Sequence, residues 1–322
     1  MTTPHYRHLK QAADWYAQLS DDSVDDAQRN AWRHWLEEDP AHRQAWSVVE
    51  KVGARFEPFR EEPHREPAYD ALRTMDSVQT SRRRALLSIS VLAVAGLGGW
   101  RALRDTPLAE RLTALTTEYA TGTGERRELS LPDGSRAWLN TLSALDTHYG
   151  PRQRLLRLHS GELLLEASGD PRGPLRVTTR HGEVSGANAT FGLCHQSDGL
   201  CVSVFAGSVE LATTGGRARL EQGQQSTLSA HGALGPLQPV EAARRSWSQG
   251  VYIAEGVSLQ RFVEELGRHR HGYLGCSPEV AALRVVGSFP LTDTERALDM
   301  LPKALPVRIQ RILPWWVTIE TA

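Results

Sequence analysis

RRRALLSISVLAVAGLGGW, residues 82–100, divides the chain: the residues before it read helical, and those after it read mostly β. Residues 85–100 carry no charge, while Arg82, Arg83 and Arg84 stand at one edge and Arg101 and Arg104 at the other. Sixteen helical residues reach about 24 Å, short of a hydrocarbon thickness of about 30 Å. Arginines that snorkel and an indole at the interface lengthen such a span, and a core helix is rarely clamped by charge at both ends. The expectation is a membrane-spanning helix over 84–103, flanked by Arg82, Arg83, Arg84, Trp100 and Arg101. Five arginines in the twenty residues before the run, against three in the twenty after it, place the N-terminus on the cytoplasmic side.

A chain of 322 residues has room for two or three domains. Its net charge of −1 is well mixed, and residues 1–84 hold thirteen Lys/Arg against fifteen Asp/Glu. Neither supplies an electrostatic reason to bind nucleic acid directly. Met1 opens on polar TTPHYRHLK, so no cleavable signal is expected there.

Before the apolar run, Leu9, Ala12, Ala13, Tyr16 and Leu19 recur at helical spacing. Ser23 and Asp26 suggest a capping box for a second helix bearing Ala31, Trp32, Trp35 and Leu36. Asp39-Pro40, a cap followed by proline at the first helical position, starts a third with Ala45, Trp46, Val49, Val52 and Phe56. A weaker fourth holds Tyr69, Leu72 and Met75. Four tryptophans in 46 residues either fill a short bundle or grip a partner, since Trp is favoured in interface hot spots. Ala12-Ala13-Asp14-Trp15-Tyr16 and the run from Trp35 to Trp46 (WLEEDPAHRQAW) resemble the N-terminal region of FecR-type anti-sigma regulators. The resemblance implies a cytoplasmic helical domain over 1–80 that holds an extracytoplasmic-function sigma factor, with Trp15, Trp32, Trp35, Leu36 and Trp46 as the binding residues.

After the run, residues 127–131 alternate, Pro132-Asp133-Gly134-Ser135 turns, and residues 136–140 return. Further strands are expected at 154–158, 162–167, 175–179, 182–185, 190–195, 201–205, 208–212 and 218–221. Short Gly and Asp-Gly punctuation argues an antiparallel all-β fold over 110–235. LPDGSRAWLNTLSAL, GELLLEASGDPRGPLRVTT and VFAGSVEL are similar to the FecR domain, a periplasmic β module. Some members cleave themselves at a Gly-Thr pair; the matching positions here are Asn188 and Ala189, and alanine has no nucleophile. Cys194 and Cys201 flank a turn that sets them across from each other, and an oxidising periplasm would join them. A metal pair with His195 lacks a fourth ligand.

Residues 245–322 read as a small α+β module: a strand at 251–254, Ser258 capping the stripe Leu259, Phe262, Val263 and Leu266, a strand at 283–289, a helix with Ala297, Leu298 and Leu301, and a closing hairpin. His269, Arg270 and His271 read as a solvated helix end. EGVSLQRFVEELGRHRHG and VVGSFPLTDTERALDMLP resemble the secretin and TonB short N-terminal module. The resemblance implies that this module, through Leu259, Phe262, Val263 and Leu266, meets the signalling domain of a TonB-dependent outer-membrane receptor of iron-siderophore uptake. It implies a single-pass inner-membrane protein, N-terminus cytoplasmic and C-terminus periplasmic, released by periplasmic and intramembrane proteases; Gly96, Gly98 and Gly99 would weaken the helix for the latter. No phosphate-binding glycine loop, HExxH or serine elbow is present, so no enzyme, cofactor or metal is expected. The alternative is a structural protein whose β domain binds an envelope component.

Overall fold

The computed structural model describes residues 6–20, 24–56, 117–151, 153–197, 199–229 and 231–322. Two compact units account for them: one joins the first helices to residues from Val251 to Ala322, and the other ends at Gly250.

In the first unit, α1 (Tyr6–Leu19), α2 (Asp26–Glu38) and α3 (Pro40–Gly53) follow the expected stripes. The capping box of α2 is Asp25 with Gln28, each side chain bonding the other's backbone N–H; the expected Ser23 lies outside the described residues, as does the fourth helix. Asp39 caps α3, its carboxylate accepting from the Ala41 N–H at 2.7 Å, with Pro40 next in line.

The second unit is a two-sheet β structure. Its strands are β1 (Tyr119–Ala120), β2 (Arg127–Ser130), β3 (Arg136–Leu139), β4 (Ala144–Gly150), β5 (Gln153–Ser160), β6 (Glu162–Ala167) and β7 (Leu175–Thr179). They continue as β8 (Gly182–Gly186), β9 (Ala189–Gln196), β10 (Gly199–Ala206), β11 (Ser208–Thr213), β12 (Gly216–Glu221), β13 (Gln224–Ser229) and β14 (Gln238–Pro239). One sheet runs β1-β4-β5-β7-β8-β11-β12, the other β14-β13-β10-β9-β6-β3-β2. All pairings are antiparallel except β5 with β7. One core fills the unit, with Leu139, Leu145, Leu156, Leu163, Phe191 and Leu193 at 1% exposure or less. Burying each such side chain contributes about 1.5–3 kcal/mol.

Residues 251–322 return to the first unit as β15 (Val251–Ser258), α4 (Leu259–Arg268), β16 (Tyr273–Cys276), β17 (Arg284–Pro290), α5 (Thr294–Ala304), β18 (Val307–Leu313) and β19 (Trp316–Thr321). β15 pairs with β17, and β16 lies parallel to β19, which pairs with β18.

Two findings correct the expected single-pass membrane architecture. Among the described residues no helix is long and apolar enough to cross a membrane, and 84–103, with Arg82, Arg83, Arg84, Trp100 and Arg101, lies outside them. In addition, Leu9, Ala12, Ala13, Trp35, Ala45 and Val49 of the helices share one buried cluster with Trp315 and Trp316 of the C-terminal module. The two domains that a single-pass topology would set on opposite sides of a membrane have one core. The architecture of the described residues is three N-terminal helices, an all-β domain, and an α+β module that packs back on the helices.

Candidate functional site

The run from Trp35 to Trp46 has a physical basis in how it satisfies the end of α2. The last carbonyls of a helix have no partner within it. Here His42 Nδ1 donates to the Trp35 carbonyl at 2.7 Å and Arg43 Nη1 to the Leu36 carbonyl at 3.0 Å. The His42 ring also stacks on the Trp35 indole, centroids 4.4 Å apart. One short segment thereby ends α2, starts α3 and fixes the angle between them.

That angle brings the predicted residues together. Trp15 lies 6.5 Å from Trp35 and Trp32 lies 5.0 Å from Trp46, ring to ring, with Tyr16 5.9 Å from Trp46. Trp35 is buried, while Trp15, Trp32, Leu36 and Trp46 are half-buried around it. The tryptophans are therefore first the mortar of the bundle.

The contacts that sequence reading missed lie on the other side of α1. Trp315 stacks on Phe56, centroids 5.7 Å apart, and meets the edge of Tyr16 at 5.4 Å. Gly53 permits this approach: a Cβ there would stand 2.5 Å from the Tyr16 hydroxyl and 3.2 Å from the Trp315 ring. Nearer the start of α1, the Glu320 carboxylate accepts from Lys10 Nζ at 2.5 Å, Tyr6 Oη at 2.9 Å and Arg308 Nη2 at 3.1 Å. Burial raises the Glu320 pKa, but these bonds outweigh it and hold the carboxyl below its ordinary range. Burial pushes the Tyr6 phenol well above its usual value, so it stays a donor. The only signal in the sequence was Trp315-Trp316, two indoles at a hairpin turn with nothing to say what covers them.

The stripe Leu259, Phe262, Val263 and Leu266 is core: all four are at most 3% exposed, with Phe262 against Phe289 and Tyr252. They present no surface to a receptor. The expected solvated end at His269 and Arg270 is corrected as well, because both are buried and Arg270 pairs with Glu295 at 3.1 Å.

In the β domain Cys194 and Cys201 are direct cross-strand partners, as the turn between them required. With Glu162, which pairs with Cys194, and Ser203 they line a small pocket under Arg244 and Trp247. The expected bridge is not formed: all three cysteines are thiols. Directly opposed positions set Cβ atoms about 4.5–5.5 Å apart, wider than the roughly 3.8 Å of a disulfide, so closure needs a small shift. Among the described residues no three His, Cys, Asp or Glu side chains are placed to hold a metal ion. Asn188 has φ of 50°, in the left-handed region that favours glycine.

Residues 117–210 match the family model described as FecR protein, and residues 10–52 the one described as a domain of unknown function, DUF4880. The fold is similar to two crystal structures of a candidate anti-sigma factor from Parabacteroides distasonis ATCC 8503. Their TM-scores are 0.53 and 0.52, each at 22% identity, covering 64% of this chain and 99% of theirs. Comparison with curated proteins gives no match. The β domain thus carries a match to the FecR family model, and the first helices a match to the DUF4880 model.

Proposed function

We propose that this chain is an anti-sigma regulator whose helical domain binds a sigma factor of the extracytoplasmic-function class. The observation that carries the reading is the joint presence of a FecR domain and the aromatic helical domain in one chain, in a fold like that of a candidate anti-sigma factor. The proposed input is the signalling domain of a TonB-dependent receptor. In the C-terminal module the apolar side chains open to such a partner are Ile253 and Val286, 39% and 72% exposed on the β15–β17 sheet. Co-purification of the full chain with each extracytoplasmic-function sigma factor of its own genome tests the reading. A stable one-to-one complex with one of them, and repression of that factor's transcription in vitro, is the expected result. Retention of none, by a folded chain, would contradict it.

A further inference from the structure

On strands β9 and β10, Phe191, Leu193, Val202 and Val204 point into the core, so Cys194 and Cys201 point to the outer face of the sheet. The pocket they line there is roofed by Arg244 and Trp247 of the 3₁₀ helix Ala242–Gln249. This strap is held at its end by Arg126, whose Nη1 donates to the Trp247 and Ser248 carbonyls at 2.8 and 3.2 Å. Arg245 lies 6.0 Å from the centre of the Phe205 ring. Gly250, at φ of 86°, ends the strap, and β15 begins at the next residue.

The pairing register says what kind of bridge the two thiols can make. The His195 N–H bonds the Gly161 carbonyl at 2.9 Å, on the β6 side. Successive residues of a strand turn their backbone groups to opposite sides, so Cys194 turns its N–H and C=O to β10 and meets Cys201 as a hydrogen-bonded pair. Such pairs hold their Cα atoms about 5.5 Å apart, and their Cβ atoms stand wider than in the alternate pairs. A disulfide at this position works against the backbone bonds that set that width, and strained disulfides are the readily reduced ones. Each thiol is engaged along its own strand: Cys194 Sγ donates to the His195 carbonyl at 3.7 Å, and Cys201 Sγ lies 3.8 Å from Ser203 Oγ.

We propose that Cys194 and Cys201 form a reversible dithiol–disulfide switch that acts on the strap above them, and so on the segment that leads into β15. The oxidant is a low-molecular-weight disulfide, with oxidised glutathione as the probe. One protein thiol attacks it, forming a mixed disulfide and expelling one glutathione thiol. The second protein thiol attacks the protein sulfur of that mixed disulfide and expels the other. The pair loses two electrons and two protons, which leave as two glutathione thiols. Closure draws the Cβ atoms in to about 3.8 Å and swings both sulfurs across the strands, away from the groups that roof them. The strap loses packing on its inner side and loosens. This inference stands independently of the anti-sigma reading.

The test equilibrates the full chain, without denaturant, in glutathione buffers of graded reduced-to-oxidised ratio. Peptide mass spectrometry after alkylation counts the Cys194–Cys201 bridge, and amide hydrogen exchange follows residues 243–249. The bridge is expected to form in oxidised glutathione and to open again in excess reduced glutathione. Exchange in the strap is expected to quicken about tenfold in the bridged form, while the core strands keep their protection. Cys201→Ser, or Cys194→Ala where the first variant unfolds, should show no response of the strap to oxidised glutathione. A bridge that never forms, or one that survives excess reduced glutathione in the folded chain, overturns the switch. A bridge that forms and opens with strap exchange unchanged, or a strap that responds equally in the single-cysteine variant, overturns its action on the strap.

Discussion

Arg154 is fully buried in the β domain, where its guanidinium donates to Asp133 at 2.6 Å and to the Ser168 and Gly173 carbonyls. It sits in the same inward row as Leu156 and Leu158, and ties the hairpin turn before β3 to the loop before β7. Removing one partner of such a pair strands the other charge, so Arg154→Ala should cost about 3–5 kcal/mol, and Arg154→Met with Asp133→Ala much less, by denaturant unfolding. Burial raises the Asp133 pKa, but its bonds to Ser135 and Arg154 outweigh this and lower it. Its stabilisation is present above its unfolded pKa of about 3.9 and is lost as pH falls through the lower folded value. His195 acts earlier. Burial, with Arg180 and His181 adding to it, lowers its pKa to about 4. Between pH 6.5 and 4 the unfolded state takes a proton that the folded state refuses, so stability falls over that window as pH falls. Thermal unfolding across pH 4–7 should show this slope, and His195→Phe should flatten it. Opposed Cys194 and Cys201 give a third expectation. Oxidised glutathione should accept two electrons from the pair, releasing two glutathione thiols and lowering the count in denaturant from three to one; three thiols after oxidation would argue against closure.

Helices α1 to α3 and most strands were legible because their patterns are local. Asp39-Pro40 marked a helix start that the carboxylate does cap, and Asp39→Ala should cost about 1 kcal/mol in denaturant titration, as cap losses do. Strands β6 and β7 run over the residues expected for them. Strand β13 was missed because Gln224-Gln225-Ser226-Thr227-Leu228-Ser229 offers one large apolar residue, Leu228, and alternation needs several. Strand β4 was missed although Leu145, Thr147 and Tyr149 alternate with Asp146 and His148, because only Leu145 among them is a strongly apolar aliphatic residue. The stripe of α4 was legible as a stripe but not as to its use, since a core and an interface ask for the same spacing. Asp133 illustrates the same limit: a turn aspartate reads as solvated, and only the fold brings a buried arginine to it.

The joining of the two ends was not legible at all. Leu9 and Trp316 lie in one cluster some 300 residues apart, with a complete β domain between them in sequence. No periodicity encodes a contact of that separation, and an apolar run between the two halves argued the other way. Long-range closure of this kind slows folding, so the helices should gain their final protection only after the C-terminal module has formed. Zero-length carbodiimide coupling of the full chain, followed by peptide mass spectrometry, tests this joining most directly, since Lys10 and Glu320 are in salt-bridge contact. An amide bond between Lys10 and Glu320 is the expected product; coupling of Lys10 only to carboxylates of its own helix, such as Asp14, with none to residues 307–322, would contradict the joining.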